Sequence, residues 1–353
     1  MKTVAVIFGG NSTEYEVSLQ SAYSVLENMD AGKYNIILIG ITREGEWYRY
    51  RGSYGKIPSN EWCRDKEFLT PVVVSQSPSV KGFLELSGAD AGELGGEYFV
   101  VKVDLVFPVL HGKNGEDGTL QGLFALAGIP VVGCDTLSSA LCMDKGRAHT
   151  LVRTAGVAVP KAVTFKGYGR EEAKREIARR LSYPLFVKPV RAGSSFGITK
   201  VAREADLDAA IEEAFSHDDE VTVEEAVEGF EVGCAILGNE TLTVGRVDEI
   251  ELSEGFFDYT EKYTLKTSRI HMPARIDVQT ERRIQETAVA IYRTLGCSGF
   301  ARVDMFLTPS GEIVFNEVNT IPGCTSHSRY PNMLKGIGLS FSDMLDRLIG
   351  LYL

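Results

Sequence analysis

Apolar and polar positions along the first third of the chain follow two periods. Short β-branched and apolar runs at 4–8, 36–42, 103–110 and 129–133 predict strands. Leu19, Ala22, Leu26 and Met29 recur at helical spacing, and 119–127 predicts a second helix. Strands alternating with helices imply a parallel α/β sheet. The stretch 44–96, with its Pro, Gly, Ser and Trp, breaks this rhythm and reads as an insertion holding a hairpin or a short helix. Further on, 138–155 predicts one helix closed by Gly156. A polar helix over 171–181 precedes a strand at 184–189, and 206–215 carries Leu207, Ala210, Ile211 and Ala214 on one helical face. Strands follow at 221–226, 231–237 and 242–251, then a helix over 279–295. The runs 300–307 and 312–319 form a hairpin about Thr308-Pro309-Ser310-Gly311, and 341–349 is a final amphipathic helix. No internal repeat or low-complexity tract interrupts the chain.

Composition narrows the function classes. At 353 residues the chain has room for two or three domains. A formal net charge of -11 without any Lys/Arg run argues against nucleic-acid binding, which needs basic patches against phosphate. No apolar stretch approaches the ~20 residues that span a bilayer. The first run stops at Gly9-Gly10-Asn11, too soon for a secretory signal. Six cysteines without a C-x-x-C pair or zinc-type spacing suit reduced thiols in a cytoplasmic protein. The 36 glycines point to tight turns and close backbone approach, as nucleotide enzymes need.

Four segments carry candidate chemistry. Gly9-Gly10-Asn11-Ser12-Thr13-Glu14-Tyr15-Glu16 joins the first strand to the first helix and offers backbone N–H groups to a ligand, but it is not the dinucleotide fingerprint G-x-G-x-x-G. Glu16 reads either as the third-position acid of a capping box begun by Thr13 or as a carboxylate for a substrate ammonium; the local sequence favours the cap. His111-Gly112-Lys113-Asn114-Gly115-Glu116-Asp117-Gly118 follows a buried strand, where α/β sheets place ligands; a charged turn is the alternative. Lys188 lies inside an apolar strand and is followed by Arg191-Ala192-Gly193-Ser194-Ser195-Phe196-Gly197. A buried ammonium needs a partner, and a phosphate cradled by small residues would serve, although no Walker motif exists. In the C-terminal hairpin, simple pairing sets Phe306 opposite Ile313, Asp304 opposite Phe315 and Arg302 opposite Glu317. Arg302, Asp304, Glu317 and Asn319 then share one face. Two carboxylates and an amide oxygen suit Mg²⁺, and the carboxylates would repel each other without a cation. The competing reading is a structural ion pair of Arg302 with an acid.

Taken in order, these segments resemble the D-alanine–D-alanine ligase family of the ATP-grasp superfamily, over nearly the whole chain. The matching patterns are G-G-x-S-x-E-x-E-V-S-L, H-G-x-x-G-E-D-G-x-x-Q-G, K-P-x-x-x-G-S-S-x-G and E-x-N-x-x-P-G-x-T-x-x-S. The resemblance implies an α/β and α+β architecture. It comprises an N-terminal Rossmann-like domain (1–133) and two α+β subdomains (134–220 and 221–353) that enclose ATP. It implies that Lys145 and Lys188 contact ATP phosphates and that Glu224, Glu225, Val227 and Glu231 surround adenine and ribose; Glu225 stands where the family often has Lys. Lys262 and Tyr263 would close over the site on a loop at 254–264. Asp304, Glu317 and Asn319 would bind two Mg²⁺, with Mn²⁺ an alternative. Glu16 would hold the first substrate's ammonium, replacing the cap reading, and Glu16, Ser194 and Tyr263 would relay a proton. Arg302 and the Gly323 N–H would stabilise the oxyanion.

The resemblance also bears on the second substrate. His111 would line the substrate site and Ser328 would bind the second carboxylate. Arg329 follows where D-Ala–D-Ala ligases usually carry an apolar residue such as Leu. With Asp248 and Phe257, Arg329 makes the chain most similar to vancomycin-resistance ligases of the D-Ala–D-Ser type, because a polar group there suits a serine hydroxyl. The competing reading pairs Arg329 with a nearby acid. D-lactate fits less well, because Tyr263 is present. Alternatives at the level of function are a housekeeping D-Ala–D-Ala ligase, another ATP-grasp carboxylate–amine ligase, and a nucleotide-binding regulator without turnover. The expected partners are D-amino acids and ATP, in a homodimer, with neither nucleic acid nor membrane involved.

Overall fold

The protein is described by a computed structural model over residues 1–87, 97–193, 196–252 and 268–353. Its first sheet contains β1 (Lys2–Gly9), β2 (Tyr34–Ile41), β3 (Trp47–Tyr50), β4 (Leu69–Val74), β5 (Gly82–Ser87), β6 (Glu97–Lys102) and β7 (Leu105–Val109), in the order β6-β5-β4-β3-β2-β1-β7. β1 runs parallel to β2 and β7, as the alternating pattern predicts. The stretch 44–96 is more than an insertion: it extends the same sheet with antiparallel strands. Val72 and Phe83 turn inward there, while Val73 lies exposed on the opposite face. The expected strand at 129–133 reduces to one parallel bridge, Val106 to Val131. Pro130 cannot donate to a ladder, and Gly133, at φ +110°, turns the chain away.

α1 (Tyr15–Asn28) and α2 (Thr119–Leu126) flank this sheet. The single helix expected over 138–155 is two helices, α3 (Thr136–Met143) and α4 (Lys145–Thr154). Asp144 is extended between them, and its carboxylate accepts the Arg147 N–H at 2.9 Å. A short acid thus caps a new helix at the point where the old one ends, and Lys145 becomes the first residue of α4.

The second sheet, of order β10-β9-β11-β8, is antiparallel and contains β8 (Ala162–Lys166), β9 (Leu185–Pro189), β10 (Thr199–Val201) and β11 (Glu220–Glu225). α5 (Arg170–Arg180) and α6 (Leu207–Phe215) bury Ile177, Ala210 and Ile211 against it. β11 therefore pairs with this sheet, not with the C-terminal residues among which 221–226 was grouped.

The third sheet joins β12 (Phe230–Gly238), β13 (Leu242–Leu252), β14 (Ser268–His271), β15 (Phe300–Leu307) and β16 (Ile313–Asn319) in the order β14-β13-β12-β15-β16. α7 (Val278–Thr294) covers one face through Ile284, Ala288 and Ile291. α8 (Arg329–Lys335) and α9 (Phe341–Gly350) cover the other, and their Tyr330, Met333 and Leu345 share one core with Phe8, Leu19 and Phe107 of the first domain. That shared core holds the β7–α2 loop against the segment after β16. Among the described residues no helix is long and apolar enough to cross a membrane.

Candidate active site

Loops of the first domain lie against polar residues beside the second and third sheets, and the clusters are anchored by long-range bonds. On the second sheet, the buried Lys188 of β9 donates to Glu224 of β11 at 2.6 Å. Burial opposes ionisation of Glu224, but Lys188, then His149 and Lys145, hold its carboxyl below the usual range. Its second oxygen, Oε1, is buried and accepts no hydrogen bond, with His149 Nδ1 3.7 Å away. The opposite ring nitrogen of His149, Nε2, lies 2.7 Å from the Asn316 carbonyl, and burial lowers its pKa, so the ring is neutral near pH 7. Lys145, placed by the break at Asp144, donates to the Ala192 carbonyl at 2.8 Å and lies 3.8 Å from Glu317. Two ammonium groups, of Lys188 and Lys145, thus act on Glu224. Glu225 turns away: its carboxylate accepts the Ser182 N–H at 2.8 Å and pairs with Lys161 at 3.2 Å, which leaves only its backbone toward a ligand. Val227 lies half-buried in the turn after β11.

The hairpin carries its four polar residues on one face, but not by the simple pairing. Arg302 pairs with Asn319 and Asp304 with Glu317, and a bulge after Asp304 shifts the register so that Met305 stands opposite Phe315. Asp304 accepts Arg302 Nε and Nη2 at 2.8 and 2.7 Å, and Asn319 Nδ2 at 3.0 Å. The ion-pair reading is what the structure contains: Arg302 and the Asn319 amide both donate to Asp304, and Glu317 stands opposite Asp304 in the ladder.

The first-domain loops correct the sequence reading of Glu16. Helix α1 begins at Tyr15, and Thr13 and Glu16 form no capping box. Glu16 lies on the outer face with its side chain 58% exposed and pairs with Arg43. Glu14 is the acid that turns inward. A Cβ at either Gly112 or Gly193 would come within 2.5 Å of its Oε2, so the two glycine loops close around this carboxylate. His111 is buried, with both ring nitrogens engaged. Its Nδ1 donates to the Ile321 carbonyl at 2.9 Å, and its Nε2 accepts from Ser21 at 3.1 Å. Burial lowers the His111 pKa and keeps the ring neutral.

Glu116, which the sequence reading passed over, clasps the same two loops. Its carboxylate accepts the Gly112 and Ile321 N–H groups, both at 2.9 Å. Burial, then the charge of Glu14, pushes its pKa up to about 8 against those bonds and Arg302. A carboxyl that holds its proton more tightly when folded lends stability that is fully present below about pH 4.5 and lost as the pH climbs toward about 8. Glu116→Gln should flatten that decline. Urea midpoints at about pH 5 and about pH 8 measure it, and equal slopes in both proteins would remove Glu116 from the account.

At the C-terminal end, Arg329 is buried and fully engaged. Nε and Nη2 bond Asp248 at 2.7 and 2.8 Å, Nη1 bonds Glu231 at 2.8 Å, and Asp304 lies 3.4 Å away. The acid-pairing reading of Arg329 is thus what the structure contains, with Glu231 as one of the acids. Ser328 accepts the Thr325 N–H at 2.9 Å, and a Cβ at Gly323 would lie 3.1 Å from its hydroxyl, so the 323–328 turn is compact. Ser194, Phe257, Lys262 and Tyr263 lie outside the described residues.

Models of the D-Ala D-Ala ligase N-terminus and C-terminus match residues 3–134 and 151–350. The crystal structure of the VanG D-Ala:D-Ser ligase from Enterococcus faecalis is 71% identical and superposes with a TM-score of 0.92, covering 100% of this chain and 99% of that one. A putative D-alanine–D-lactate ligase of Streptomyces coelicolor is 48% identical, over 99% of this chain and 97% of its own. The vancomycin B-type resistance protein VanB of Enterococcus faecalis is 46% identical over the same shares.

Proposed function

The chain belongs to the D-alanine–D-alanine ligase family of ATP-dependent ligases, and from that premise we propose that it joins D-alanine to D-serine for peptidoglycan precursors, a product that gives resistance to vancomycin. The first D-alanine's carboxylate takes the γ-phosphoryl group of ATP, forming an acyl phosphate and ADP. The D-serine amine attacks the acyl carbon, and inorganic phosphate leaves with one oxygen of the original carboxylate. Lys145 and Lys188 hold the phosphates, and the unmatched Glu224 Oε1 faces the nucleotide. Asp304, Glu317 and Asn319 fit Mg²⁺ or Mn²⁺, which supplies neutralisation of phosphate charge during transfer.

Glu14, not Glu16, receives the first ammonium and begins the proton relay through Ser194 and Tyr263. The oxyanion is met by the Gly323 N–H and by Arg302 Nη1, the guanidinium nitrogen that does not bond Asp304. Ser328 orients the second carboxylate. The observation that carries the D-serine assignment is the buried Arg329–Asp248 pair beside Ser328, a polar wall that an alanine methyl leaves unused. This reading makes the protein a cytoplasmic homodimer acting on small molecules, with sedimentation as the check on assembly.

Incubation with ATP, Mg²⁺ and equal concentrations of D-alanine and D-serine tests the assignment, with products identified by mass. The expected product is mainly D-Ala–D-Ser, and Arg329→Leu should move the ratio toward D-Ala–D-Ala. Mainly D-Ala–D-Ala from the unaltered protein would make it a housekeeping-type ligase, a D-lactate ester would reassign the nucleophile, and no product at all would return the regulator.

A further inference from the structure

We propose that Gly233 is a specificity-determining position: by carrying no side chain it makes room for the buried Arg329–Asp248 pair, and through that pair it sets the preference for D-serine over D-alanine. The inference rests on the D-serine reading above and adds a residue to it.

Gly233 lies in the middle of β12, with Asp248 of β13 as its partner on one side and Asp304 of β15 on the other. Two carboxylates on neighbouring strands thus flank one glycine. Arg329 descends from α8 into the hollow above it and meets both acids. The residue two positions before on the same face, Glu231, bonds the same guanidinium. The glycine also takes part directly, since its N–H donates to Asp248 Oδ1 at 3.0 Å.

A Cβ at Gly233 would collide with Arg329 Nη2 and lie 2.8 Å from Asp248 Oδ1 and 2.9 Å from Met333 Cε. The terminus of an arginine is usually free to swing aside. This one is held by three ion pairs and buried under Met333, so it has nowhere to move without breaking a bond. The backbone makes no such demand, because Gly233 does not adopt a positive φ. The requirement is for space alone, which makes alanine a clean probe. Displacing the guanidinium would strand Asp248, which is fully buried, without its partner.

The experiment measures kcat and KM for D-serine and for D-alanine as second substrate in the unaltered enzyme, Gly233→Ala, Arg329→Leu and the double variant. Gly233→Ala should lower the D-serine to D-alanine ratio of kcat/KM by about tenfold or more, chiefly by raising KM for D-serine. In the Arg329→Leu background the same substitution should change the ratio by less than about twofold, because the group it displaces is already gone. A generally loosened sheet would lower both activities and the melting temperature together without this non-additivity. If Gly233→Ala alone fails to fold, the background Asp248→Asn, Arg329→Leu removes the guanidinium and the buried charge it would leave, and there Gly233→Ala should fold and keep the ratio of that background within about twofold. A D-serine-preferring enzyme whose ratio survives Gly233→Ala, or two additive effects, would overturn the role of Gly233. An unaltered enzyme with no D-serine preference would overturn the D-serine reading itself, and Gly233's role with it.

Discussion

Glu14→Gln should reduce ligation by about 100-fold or more, with the KM for the first D-alanine carrying part of the loss, while Glu16→Gln stays within about twofold of the unaltered enzyme. The two acids are separated by a single residue and are treated oppositely by the fold. Glu14 is buried between the Gly112 and Gly193 loops, where each glycine is needed to let its carboxylate approach. Removing its charge leaves a substrate ammonium without a desolvated partner, a loss of about 2–5 kcal/mol for a buried charge contact. Glu16 stands in solvent beside Arg43, and an exposed pair of that kind contributes about 1 kcal/mol or less. Initial rates at varied D-alanine decide between them. A large defect in Glu16→Gln with a silent Glu14→Gln would reverse the assignment.

Glu317→Gln is the second large effect: about a 1000-fold fall in kcat, with the melting temperature retained and the Mg²⁺ needed for half-maximal rate raised. Glu317 faces Asp304 directly across the β15–β16 ladder, and Lys145 lies 3.8 Å from it. An amide keeps the shape and one oxygen but loses the charge that a divalent cation requires, and with it much of the stabilisation of transferring phosphate. Magnesium titrations of coupled ADP release measure this. Near-normal turnover with an unchanged magnesium requirement would dismiss the hairpin as a metal site.

What could be read in the sequence was what depends on local period. The shared face of Arg302, Asp304, Glu317 and Asn319 follows from strand alternation, yet the register at the turn and the bulge, each shifting the pairing by one residue, together set Asp304 opposite Glu317 rather than Phe315 and leave no mark in the alternation. The outward position of Glu16 is legible in the sequence. Glu16, Gln20 and Glu27 fall on one exposed stripe of α1, opposite the buried stripe of Leu19, Ala22 and Leu26, so the first-turn acid belongs to solvent. The break at Asp144 has a cap residue as its signal, but the helical pattern on either side masks it. The strands within 44–96 are interrupted too often for a run of alternation to build up. Long-range pairings were out of reach of any local pattern. Arg329 meets Asp248 across 81 residues and Glu116 meets Ile321 across 205, and both are fixed by the core that α8 and α9 share with the first domain.

The most direct test of the mechanism follows an oxygen atom. D-alanine labelled with ¹⁸O in its carboxylate is turned over with ATP, Mg²⁺ and unlabelled D-serine, and the phosphate and nucleotide products are analysed by mass. The account predicts one ¹⁸O in the inorganic phosphate for each D-Ala–D-Ser formed, because the bond broken on amine attack lies between the acyl carbon and the oxygen that received the phosphoryl group. Label in AMP, or phosphate without label, would contradict activation of D-alanine as an acyl phosphate.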